Sequence, residues 1–81
     1  MDNVDDKIKE LTLLLLYLNS WQEGNGDLAY RRSWKGFDFD TLNQLDAEGL
    51  IYDNGKAKSI QFSDEGINKA LVIIENYNID I

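Results

Sequence analysis

The sequence contains no cysteine and no histidine. Disulfides, zinc fingers and thiol catalysis are therefore excluded. A serine or threonine nucleophile would need an unusual base, and no arrangement of residues signals one. Proline is absent too, so glycines and helix caps must do all the punctuation. The longest apolar run, Leu13 to Leu18, falls far short of the roughly 20 residues that span a bilayer. The N-terminal stretch MDNVDDKIKE is acidic where a signal peptide would be basic. Positive charge is scarce: 8 basic residues stand against 15 acidic ones, for a formal charge of −7. That balance favours solubility and repels nucleic acid and anionic membranes, although it leaves room for a local basic patch. These absences predict a soluble, cytoplasmic, non-enzymatic protein, with no cofactor, no metal site and no membrane partner.

What is present makes one domain over residues 1–81, with no repeat or linker. Val4, Ile8, Leu11, Leu15 and Leu18 recur at helical spacing, and Leu14, Tyr17 and Trp21 form a second stripe beside them. Asn3 is placed to cap this helix, and Asp5 and Asp6 suit the positive end of its dipole. Because the middle of the helix is apolar nearly all round, it must be covered on more than one side. Gln22 to Asp27 reads as a loop, and Leu28 to Ser33 has room for one or two helical turns. Asp38 caps the next helix, with Phe37 and Leu42 placed to close a hydrophobic staple. Gly49 then supplies a left-handed stop and Leu50 the matching contact to Leu45. Leu50–Tyr52 and Ser59–Phe62 read as two short strands around an Asn54-Gly55 turn. Ser63 caps a last helix that carries Ile67, Ala70, Leu71, Ile74 and Tyr77 on its inward stripe. The order helix, loop, helix, hairpin, helix defines a small α+β domain.

The stretch RRSWKGFDFDTLNQLDAEGLI, followed by KAKSIQFSDEG, resembles a family of short bacterial proteins carrying a domain of unknown function. The resemblance rests on Trp34, Lys35, Gly36, Phe37, Asp38, Phe39, Leu42, Leu45, Gly49, Ile51, Lys56, Lys58, Ser59, Ser63, Glu65 and Gly66. It covers most of the chain, from the first helix onward. It implies a winged-helix-like fold and brings no established activity or site residues. Asp53-Asn54 stands where the family often has Asp-Pro.

A winged helix suggests DNA, with the second helix in the major groove. Here that helix would present Asp38, Asp40, Thr41, Asn43, Gln44, Asp46 and Glu48, with no lysine or arginine. Each carboxylate near a phosphate costs on the order of 0.5–1 kcal/mol before screening. A DNA-binding regulator would have to read bases with Asn43 and Gln44 and hold phosphates with Arg31, Arg32, Lys35, Lys56 and Lys58. It is the alternative, and nucleic acid is not the expected partner. The preferred reading is a protein-interaction module acting as a homodimer. Its partner-facing patch would be Tyr30, Arg31, Arg32, Trp34, Lys35, Phe37 and Phe39, aromatics interleaved with basic groups that suit an acidic partner. Its dimer interface would use Leu14, Tyr17, Leu18 and Trp21 from the first helix, with Val72 and Ile73 from the last. The acids Asp38 and Asp40 lack the spacing and glycine of a calcium loop. The string from Gly24 to Ala29 follows a helix and is no dinucleotide fingerprint.

Overall fold

The computed structural model describes residues 3–81. These form helix α1 (Val4–Leu18), strand β1 (Trp21–Glu23), a 3-10 turn (Gly26–Leu28), strand β2 (Tyr30–Trp34), helix α2 (Phe39–Ala47), strands β3 (Ile51–Tyr52) and β4 (Ser59–Phe62), and helix α3 (Asp64–Asn76).

Capping chemistry sets the helix ends. The Asn3 side chain accepts from the Asp6 amide at 2.7 Å, and Asp38 accepts from the Thr41 amide at 3.1 Å. Phe37 packs against the core that contains Leu42, as the staple requires. At the end of α2 the Gly49 amide donates to Asp46 and the Leu50 amide to Leu45, with Gly49 at φ +77°. Both bonds satisfy carbonyls that would otherwise be orphaned at the helix end. Asn78, at φ +55°, ends α3 the same way, donating to Glu75 while Ile79 donates to Ile74.

Ser63 joins the end of α2 to the start of α3. Its hydroxyl accepts from the Gly66 amide at 2.9 Å and donates to the Gly49 carbonyl at 2.6 Å, while its amide donates to the Leu50 carbonyl at 3.1 Å. Gly66 lies so close to that carbonyl that a Cβ would meet the oxygen at 1.9 Å.

The sheet is antiparallel with order β1-β2-β4-β3. Its register places Arg31, Ser33, Ile51, Ile60 and Phe62 on one face, and Trp21, Glu23, Tyr30, Arg32, Trp34, Tyr52 and Gln61 on the other. The first face is covered: Ser33, Ile51, Ile60 and Phe62 are buried, and Tyr17 of α1 meets Phe62 edge-on at 5.7 Å. Leu13, Leu14 and Leu16 from α1, Leu42 and Leu45 from α2, and Ala70, Ile73 and Ile74 from α3 complete one core.

The chain is an α+β domain as expected, and α2 followed by the β3–β4 hairpin is compatible with a winged helix. Four expectations change. Gln22 to Asp27 is not a continuous loop, since Gln22 and Glu23 lie in β1 and Gly26 and Asp27 in the 3-10 turn. On α3, Leu71 and Tyr77 are 40% and 43% exposed, and Ile73 takes the inward place beside Ala70 and Ile74. Leu28 to Ser33 form no helical turns of their own: Leu28 closes the 3-10 turn, Tyr30 to Ser33 lie in β2, and a β1–β2 hairpin stands where a helix-turn-helix has its first helix. Ser33 and the flanking Arg31 make the inner side of β2 polar, which hides its strand alternation. Trp21 does not extend the stripe of Leu14 and Tyr17, because α1 stops at Leu18 and Trp21 opens β1.

Candidate interaction surfaces

Two surfaces stand out. The first is the outer face of the sheet. Trp34 and Tyr52 are 62% and 57% exposed. Trp21 lies against Trp34, ring centroids 4.9 Å apart, and Tyr30 borders them on β2. Arg32 sits among these rings with its guanidinium held in place. Its Nε donates to the Ser59 hydroxyl at 2.8 Å, a terminal nitrogen donates to the Ser59 carbonyl, and Glu23 lies 3.7 Å away. A shallow hollow of about 420 Å³, lined by Arg32, Asp46, Tyr52, Asp53, Asn54 and Gln61, opens beside them. Rigid aromatics around an anchored arginine match the composition of interface hot spots.

The residues expected to form a partner patch are thus divided. Tyr30, Arg32 and Trp34 share the outer face. Arg31 is on the inner face, where it donates to the Ser20 hydroxyl and carbonyl and lies 5.1 Å from the centre of the Tyr17 ring. Lys35 is withdrawn into an ion pair with Asp53 at 2.8 Å, the side chains 12% and 8% exposed, and also donates to the Asn54 carbonyl. Phe37 is packed against the core, and Phe39, on the first turn of α2, is open to solvent. Trp21 and Tyr52 also belong to the outer face, outside the expected patch. The signal that would have found Trp21 is the alternation Trp21-x-Glu23 and Tyr30-x-Arg32-x-Trp34 on either side of a glycine-rich turn.

The second surface is the stripe of Val4, Ile8, Leu11, Leu15 and Leu18, between 39% and 73% exposed. The core side of α1 is instead Leu13, Leu14 and Leu16. Leu14 and Ile73 are buried within the chain and offer no surface to a second copy, a correction to the expected interface. Tyr17 faces the sheet, Trp21 stands on the outer sheet face, and Leu18 and Val72 remain exposed.

Of the residues that a DNA-binding reading would use, Asn43, Gln44, Lys56 and Lys58 are exposed, while Arg31, Arg32 and Lys35 make the contacts described above. Beside α2 runs a groove of about 490 Å³ lined by Asp5, Ile8, Asp38, Asp40, Thr41 and Gln44, so its charged groups are all acidic.

Ion pairs tie the helices together at their edges. Lys9 reaches Glu48 at 2.6 Å, bridging α1 and the end of α2. Lys7, Glu10 and the Tyr77 hydroxyl form a three-way cluster between α1 and the end of α3. The hydrogen bond from Lys7, then that from Tyr77, holds the Glu10 carboxyl below its ordinary range. The bond to Glu10, then the one to Tyr77, raises Lys7, and the bond to Glu48 raises Lys9. Among the described residues no three acidic side chains gather to hold a metal ion, and no helix is long and apolar enough to cross a membrane.

Fold and surfaces together define a small α+β domain with an open aromatic sheet face and an uncovered helix stripe. The chain belongs to the family described as a domain of unknown function (DUF6429), whose model matches residues 4–80. It is similar to an uncharacterized protein, y4hR, of Sinorhizobium fredii (strain NBRC 101917 / NGR234), 38% identical over 71 residues that cover 86% of each chain. No solved structure matches it.

Proposed function

We propose that the protein is a non-enzymatic interaction module that works as a homodimer and docks a protein partner on the outer face of its sheet. The observation that carries the reading is the stripe on α1. Five branched aliphatic side chains, all substantially exposed, line one side of a 15-residue helix. They leave roughly 400 Å² of apolar surface, about the size of the largest such patch on a typical monomer, which is often functional. A second copy is a fitting cover, because it brings the same stripe and meets it across a two-fold axis. Support for the partner face comes from Trp21, Tyr30, Trp34 and Tyr52 around the fixed Arg32.

Sedimentation at tens of micromolar tests the dimer. The wild-type chain is expected at twice its 9.3 kDa mass, and Leu15→Glu at the mass of one subunit with its circular dichroism unchanged. A one-subunit mass for the wild type would sink the reading. A DNA-binding regulator is the second reading, favoured by the exposure of Asn43, Gln44, Lys56 and Lys58. It requires measurable affinity for random duplex at low salt that falls steeply as salt rises.

A further inference from the structure

We propose that the two copies pair through α1 in the antiparallel sense, with Leu11 of each beside the two-fold axis. This rests on the dimer reading and adds its geometry. The stripe residues follow one another at intervals of four, three, four and three. That 3.5-residue period keeps a seam facing a partner helix over its whole length, as in paired helices crossing at a shallow angle. Leu11 is the middle member, so an axis beside it lets each stripe cover the other from end to end.

Charge selects the direction. Asp5, Asp6, Lys7, Lys9 and Glu10 crowd the first half of α1, whereas Leu11 to Gln22 carry no charge at all. The acidic groove with Asp5, Asp38 and Asp40 borders the same first half, sharing Ile8 with the stripe. A parallel pair would bring two such acidic edges to within about 10 Å, the spacing of packed helices. An antiparallel pair lays each charged half along the neutral half of the other copy. It moves the two first turns about 20 Å apart, well beyond the screening length of physiological salt. Because α1 packs on the inner face of the sheet and turns its stripe away from it, the two aromatic faces then look outward on opposite sides. The dimer becomes bivalent, with one docking face per subunit.

The lack of native cysteine allows a direct test by oxidative cross-linking of Ile8→Cys, Leu11→Cys and Leu15→Cys, with Lys56→Cys on the hairpin as the collisional control. In the antiparallel pair, positions 8 and 8 of the two copies are offset by about 10 Å along the axis, too far for a disulfide, which needs Cα atoms within about 7 Å. Leu11→Cys should therefore cross-link alone, well above the control. Ile8→Cys and Leu15→Cys should each stay at control level and cross-link when mixed. If all three cross-link alone, the helices are parallel, which overturns the inference and leaves the dimer. A dimeric mass with no cross-link above control at any position also overturns it, placing the interface elsewhere. A monomeric mass for the unmodified chain removes both readings.

Discussion

Gly66→Ala sets two physical effects against each other, and the structure says which should win. In an exposed helix the change would stabilise by about 0.8–1 kcal/mol, because alanine is the better helix former. At position 66 the new Cβ would sit 1.9 Å from the Leu50 oxygen and 2.9 Å from its carbon, while real Cβ atoms keep beyond 3.0 Å. The start of α3 must retreat by about 1 Å to relieve this. Such a shift breaks the Ser63 amide bond to Leu50 and the Ser63 hydroxyl bond to Gly49, now 3.1 and 2.6 Å. Losing a cap costs about 0.5–2 kcal/mol, and leaving buried groups unpaired about 1–3 more. With the helix-propensity gain subtracted, a net loss of about 0.5–4 kcal/mol is expected. A chain of this length has only about 4–12 kcal/mol of stability in all. Urea titration followed by circular dichroism should show the midpoint falling with the slope unchanged, and Tm dropping by about 4–8 °C per kcal/mol. Gly55→Ala is the control, since a Cβ there meets none of the described residues within 4 Å. A Gly66→Ala variant as stable as the wild type, or more so, would refute the close-approach reasoning.

Other substitutions separate further contacts. Lys35→Ala should cost about 2–4 kcal/mol, since it strands the Asp53 carboxylate in a site 8% exposed; a loss under about 0.5 kcal/mol by urea titration would deny that the pair matters. Ser33→Ala should be neutral or stabilise by up to about 1 kcal/mol, because the buried Ser33 hydroxyl has no hydrogen-bond partner among the described residues, and a clear loss of stability would contradict this. The Glu10 cluster predicts a pH dependence. A carboxyl held below its ordinary value of 4.5 contributes stability that is present above that value and lost as pH falls through the lowered one. The difference in urea midpoint between wild type and Glu10→Gln should therefore be largest near neutrality and close in acid. A pH-independent difference would show that the contact is not electrostatic.

Helix ends were legible because their causes are local. Asn3, Asp38 and Ser63 each accept an amide three residues on, and Gly49 stops α2 through bonds spanning three and five residues. The β3–β4 hairpin was legible for a similar reason: Ile60 and Phe62 alternate and a turn precedes them. The β1–β2 hairpin was not, since the inward side of β2 holds Arg31 and Ser33 rather than apolar residues. Its strand identity comes from pairing with β4, at Ser33 with Ile60, a partner nearly thirty positions away. Trp34 and Lys35 show the same limit. Adjacent in one motif, they end with one ring on an open face and one ammonium in a buried ion pair.

The sequence by itself determined three helices with their caps, the closing hairpin, the absence of thiol and imidazole chemistry, and an excess of negative charge. These follow from composition and from bonds between near neighbours. Only the tertiary structure decided which stripe of α1 faces the core. Both stripes are apolar and both fit a helical period, so hydrophobicity could not rank them. The choice fell to the positions of α2, α3 and the sheet, which enclose Leu13, Leu14 and Leu16 and leave Leu11, Leu15 and Leu18 to the solvent. The same packing set the aromatics of β1, β2 and β3 on one open face, because strand register between distant segments fixes the side to which each residue points.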